Sequence, residues 1–227
     1  MPVCDTRLVP ALITWWRRDL ATLAPSADPG VVLEVGADLL HRWCEPHRHY
    51  HTTSHLVEVF WALEELEEVE EVAPRPGTVG RLAAWFHDAV YAVDGTAAGE
   101  AASAALAREV LPGLGVGPAD VASVVGLVED TASHDVGERV GLRAAFHDAD
   151  LWILCAEPVR FDGYCEQVRR EYAHVPDPAY AAGRRAVLAP LIERDHVYAT
   201  EHAREQWEPQ ARENLARELA RLSARLG

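Results

Sequence analysis

A chain of 227 residues is long enough to bury one sizeable helical core. Its formal net charge of -15 repels phosphate backbones and anionic lipid surfaces, which excludes a nucleic acid polymer or a membrane as primary partner. A small phosphorylated substrate stays open, because a bound cation and a few arginines reverse the potential locally.

Proline and glycine clusters cut the sequence into helix-length pieces. In chain order these cover residues 8–23, 31–44, 53–72, 78–93, 97–111, 118–133, 139–155, 159–174, 180–194 and 203–226. Apolar residues recur at helical spacing, as in Leu56, Val57, Phe60, Leu63 and Leu66, or in Leu215, Leu219, Leu222 and Leu226. No stretch alternates with period two, so the fold class is predicted to be all-α. With no internal repeat and no low-complexity linker, one domain over residues 1–227 is expected. The aromatic-rich Trp15, Trp16, Arg17 and Arg18 read as an N-terminal packing face or a homodimer face.

All 21 lysine-plus-arginine residues are arginines. Together with the Ala/Val/Gly-rich vocabulary, this points to a GC-rich bacterial coding bias. Cys4, Cys44, Cys155 and Cys165 form no CxxC pair, no cationic-then-apolar leader opens the chain, and no apolar run reaches the ~18 residues of a membrane span. Four reduced cysteines in a cytoplasmic protein are therefore expected.

Chemistry concentrates in a few places. His41, His47, His49, His51 and His55 crowd the start of one predicted helix, and His87 is followed directly by Asp88 in an otherwise apolar piece. FHDADL at 146–151 again sets polar residues in an apolar context. Imidazole and carboxylate buried together are costly unless paired or bound to a cation. A metal removes that cost for both, and mixed N/O ligands suit zinc, manganese, iron, nickel or magnesium. Adjacent residues on a helix point about 100° apart, so His87 and Asp88 reach one ion only at the edge between their faces. Asp148 and Asp150 face nearly opposite ways. Asp150 shares the apolar stripe of Phe146 and Ile153, while Asp148 points away, where it can be solvated or orient a ligand.

The order His55, His87-Asp88, Asp150 resembles the HD superfamily, whose signature is H…HD…D over several helices. YHTTSHLVEV at 50–59 is similar to the YHNxxHAxDV segment of cyclic-nucleotide phosphodiesterases, and HDADL at 147–151 to their HCADL. TASH at 131–134 is a looser, shorter counterpart of their TxxxSKH stretch. The chain more closely resembles a bacterial group described as predicted metal-dependent HD phosphohydrolases, with the pattern EPHRxYHNxxH, AAWFHDxVY, NEExSA, DADLxILG and RxEYxHVP. It matches at 45–55, 83–91, 148–154 and 169–176, with departures at Thr52, at Ala98-Gly99 and at Cys155. His87-Asp88 is followed by Ala-Val-Tyr91, not by the HDxxED acidic pair of alarmone hydrolases.

The resemblance implies an HD-type domain with a metal-site core at about 31–155 and a helical extension at about 156–227. It implies one divalent metal on His55, His87, Asp88 and Asp150, with His51 as general acid or as a ligand of the substrate phosphate. His134, Glu100, Arg48 and Arg169 are candidates for contacting a small phosphorylated substrate. The expected function is metal-dependent hydrolysis of a small phosphoester, a nucleotide being the leading candidate. The alternatives are a non-catalytic nucleotide-binding HD protein and a non-haem iron oxygenase.

Overall fold

The computed structural model describes residues 5, 7–69, 71–92, 99–133 and 140–226. Among the described residues are eleven α-helices, one short 3-10 helix and no strand, so the fold class is all-α. The helices are α1 Val9–Leu23, α2 Pro29–Trp43, α3 Thr53–Glu68, α4 Pro74–His87, α5 Gly99–Gly113 and α6 Pro118–Asp130. They continue as α7 Leu142–Asp150, the 3-10 helix Trp152–Cys155, α8 Pro158–Glu171, α9 Asp177–Glu193, α10 Glu201–Gln206 and α11 Glu208–Ala224. None of the described helices is long and apolar enough to cross a membrane.

Several prolines that look like stops are starts. Pro29, Pro74, Pro118 and Pro158 are each the first residue of a helix, where the missing N–H costs nothing and the fixed φ already suits the helix. Asp28 caps α2 by accepting from the backbone N–H groups of Gly30 and Val31, and Thr52 caps α3 by accepting from Ser54.

Three expectations are corrected. The helix bearing His87 ends at that residue instead of running on to 93; Asp88 leaves it with φ -117° and ψ 21°. The piece at 203–226 is broken at Trp207 into α10 and α11. Cys44 is disulfide-bonded, while Cys155 and Cys165 are free thiols. Cysteine spacing along the chain does not reveal a pair that the fold brings within bonding distance.

Contacts divide the chain into two units, Met1–Asp135 and Val136–Gly227. The second unit thus begins ahead of α7.

The first unit is organised around aromatic residues. Trp16, Trp43, Trp85, Phe60 and Phe86 are fully buried, with Trp16 and Trp85 edge to face at 5.4 Å. Trp16 is therefore an interior residue and not part of a dimer face. Its indole N–H donates to the carbonyl of Val32 at 2.7 Å. Gly36, one turn further along α2, makes the room: a Cβ there would stand 2.6 Å from the indole ring. Asp19 on α1 and Arg81 on α4, both buried, form an ion pair at 3.1 Å, and Glu67 on α3 adds a second carboxylate at 2.6 Å.

In the second unit a few buried polar groups fasten the loops. Asn214 on α11 donates to the carbonyls of Leu154 and Ala156, and the Tyr198 hydroxyl donates to that of Leu151. Asp148 is fully buried, contrary to the solvated position that helical spacing assigns it. Its carboxylate accepts from the backbone N–H groups of Ala199 and Thr200, from the Thr200 hydroxyl and from His147 Nδ1. Those partners lie mainly some fifty residues away in sequence, out of reach of any periodicity argument.

Candidate metal centre

Two helix ends build the site. His55 lies in the first turn of α3, just past its Thr52 cap, and His87 is the last residue of α4. The two Nε2 atoms are 3.2 Å apart, and Asp88 Oδ2 is 3.2 Å from His87 Nε2 and 3.9 Å from His55 Nε2. One ligand atom from each of His55, His87 and Asp88 falls within 4.8 Å of the others. His-Asp adjacency succeeds here because the helix stops: Asp88 is free of the 100° rule and swings its carboxylate toward the preceding imidazole.

The ring orientations are fixed from behind. His87 Nδ1 lies 2.8 Å from the carbonyl of Ala84. A carbonyl only accepts, so Nδ1 carries the proton and Nε2 of the neutral ring presents its lone pair. Tyr50 Oη, 3.0 Å from His55 Nδ1, holds the second ring in place through a hydrogen bond in which either group can donate. The Trp43 indole packs on both imidazoles, 5.4 Å from His87 and 6.3 Å from His55. Two imidazole nitrogens this close need a proton or a cation between them, and the third acceptor, Asp88 Oδ2, favours the higher charge of a cation. The 3.2 Å separation matches the edge expected between two ligands each about 2.1 Å from a shared ion. The donor set therefore fits a divalent metal held by His55, His87 and Asp88.

Exposure grades outward. The His55 and His87 side chains are 3% and 2% exposed, whereas Asp88 and His51 are 18% and 20%. His51 precedes α3 instead of forming a helical turn with His55, yet its Nε2 is 3.9 Å from Asp88 Oδ2. Its ring stacks on Tyr91 at 4.1 Å and meets Tyr50 edge to face at 4.8 Å. It thus stands beside the candidate metal ligands on the solvent side.

The remaining predicted residues divide. Asp150 is the half-buried last residue of α7 in the second unit. Glu100 is half-buried in the first turn of α5, three residues before Ser103. The Ser103 hydroxyl accepts from Val90 N–H and donates to Val90 O, which fixes the strand of chain leaving Asp88. His134 lies outside the described residues.

Neither Arg48 nor Arg169 is placed as a phosphate ligand. Arg48 is fully buried, and its three guanidinium nitrogens are committed to Glu45 and to main-chain carbonyls. Arg169, in the second unit, is tied to Asp177 and to the carbonyls of Tyr172 and Val175, above the Tyr180 ring. Tyr50 and Trp43 take parts that sequence reasoning missed. Tyr50 sits inside the matched motif, and Trp43 carries no signal beyond a buried helical position.

Comparisons with family models, with curated proteins and with solved structures found no match to this chain.

Proposed function

We propose that this chain is a metal-dependent phosphohydrolase of the HD class, cleaving a phosphoester in a small molecule such as a nucleotide. The observation that carries this reading is the convergence of His55 Nε2, His87 Nε2 and Asp88 Oδ2 beside the more exposed His51. His55, His87 and Asp88 would hold the ion, and the sequence resemblance adds Asp150 as fourth ligand. When bound, a divalent cation supplies Lewis acidity toward a phosphoryl oxygen and acidifies water. As water forms the new bond to phosphorus and loses a proton, the ester P–O bond breaks, and His51, beside the Asp88 carboxylate, gives its proton to the leaving oxygen.

The test is a phosphatase and phosphodiesterase screen across nucleotides with zinc, manganese, iron, nickel or magnesium added. Cleavage that needs the metal and is lost in His87→Ala supports the reading. Metal and nucleotide binding without release of product would reassign the chain as a non-catalytic nucleotide-binding protein. Iron-dependent oxygen consumption would reassign it as an oxygenase.

A further inference from the structure

The two segments that deliver the site are joined by one buried cation. Arg48 lies three residues before His51, in the segment leading into α3. Its Nη1 donates to the carbonyl of Asp88 at 2.7 Å and to that of His51 at 3.2 Å, and its Nη2 donates to the carbonyl of Ala89 at 3.3 Å. On the other side Nε donates to Glu45 Oε2 at 3.1 Å, with Nη2 3.0 Å from the same oxygen. The guanidinium stands 5.6 Å from the Trp43 ring and 5.4 Å from the Tyr91 ring. Trp43 packs on both candidate imidazole ligands, and Tyr91 stacks on His51.

This arrangement answers a need created by the sequence. The chain has left the helix after His87, so the carbonyls of the segment that follows, those of Asp88 and Ala89 among them, have no helical partners. A planar fork satisfies two of them at once and, in doing so, sets where the Asp88 backbone stands relative to His51. A lysine ammonium carries the same charge but spans no such set of acceptors. Glu45 balances the charge, without which a buried cation would oppose a metal ion nearby.

We infer that Arg48 is a positioning residue of the metal centre, bridging the His51 and Asp88 segments so that Asp88 is held at its distance from His55 and His87. This rests on the metal-binding reading above. It moves Arg48 from the substrate contacts that the sequence suggests to the frame behind the ligands.

The test is Co(II) titration of the full chain, followed by absorption spectroscopy, with far-UV circular dichroism and thermal unfolding of the metal-free protein alongside. Arg48→Lys keeps the charge and removes the fork. It is expected to retain native helicity, to bind Co(II) ~10–100-fold more weakly and to change the ligand-field spectrum. In Arg48→Ala, low-millimolar guanidinium is expected to restore part of the affinity and of the spectrum. A folded Arg48→Lys protein with wild-type affinity and spectrum, and only a lower unfolding temperature, would show a purely structural residue and overturn the inference.

Should neither Arg48 variant fold, Glu45→Gln carries the test, because it weakens the anchor of the guanidinium at a partly exposed position. A several-fold loss of Co(II) affinity is then expected, and unchanged affinity and spectrum overturn the inference. If the wild-type chain itself binds no Co(II), the metal reading fails and this inference falls with it.

Discussion

Thr200 donates both its backbone N–H and its hydroxyl to one oxygen of Asp148, each at 2.7 Å. The other oxygen accepts from Ala199 N–H at 2.8 Å and faces His147 Nδ1 at 2.9 Å. Four donors on a fully buried carboxylate hold the segment entering α10 against α7. Asp148→Asn puts an amide N–H₂ against donors, and hydrogen bonds to a buried charge are among the costliest to lose. The expected loss is about 3 kcal/mol, read from the urea midpoint. An unchanged midpoint would contradict the anchoring role.

Metal content separates this anchor from the candidate ligands. His87→Ala and Asp88→Ala are each expected to abolish the binding of about one divalent ion per chain. Asp150→Asn, the substitution at the fourth position implied by sequence resemblance, is expected to do the same. Asp148→Asn is expected to keep the metal. Elemental analysis after dialysis decides, and equal metal in the wild type and in the His87 and Asp88 variants would remove the site assignment.

His51→Ala is expected to keep its metal and to lose turnover by ~10²–10⁴-fold, the usual contribution of a general acid. The deficit should shrink for nitrophenyl esters, whose leaving group needs no proton. A loss of equal size for good and poor leaving groups would instead make His51 a substrate-binding residue.

Asp19 and Arg81 present a buried pair whose members are unequal when separated. Burial pushes the Asp19 carboxyl above its ordinary range, and the hydrogen bonds from Arg81 pull it back. Arg81→Met leaves the carboxyl buried without that relief and is expected to cost about 3–5 kcal/mol. Adding Asp19→Leu should recover much of the loss. Thermal unfolding of the single and double variants measures both effects, and a double variant no more stable than Arg81→Met would argue against a stranded charge.

A link between α8 and α11 is expected to respond to acid. Arg221 and Arg217 beside Asp162 hold its carboxyl down at about 2, against an ordinary 3.8. Because the folded value is the lower one, the stabilisation is complete above the ordinary value and is lost as pH falls from 3.8 toward 2. The group is partly exposed, so salt should weaken the effect. Carboxyl carbon NMR would follow it, and a midpoint for Asp162 near the ordinary value would dissolve the link.

Much of this architecture was already visible in the chain. The 3.6-residue recurrence of Leu56, Phe60 and Leu63 settles helix over strand, because the side-chain period is a local property of the backbone. His55, His87 and Asp88 stand out for a related reason: polar groups on apolar stretches need a partner, and the need is legible before the partner is known. What spacing along a helix does not carry is where the helix stops and what packs on it from far along the chain. Asp88 reaches His87 only because α4 ends between them. Arg48, charged and seemingly suited to phosphate, turns inward because the freed carbonyls of Asp88 and Ala89 accept its donors. Asp148, assigned to solvent by its angle on α7, is buried because Ala199 and Thr200 supply donors from some fifty residues away. Such choices rest on hydrogen bonds between residues remote in sequence, and only the tertiary structure makes them.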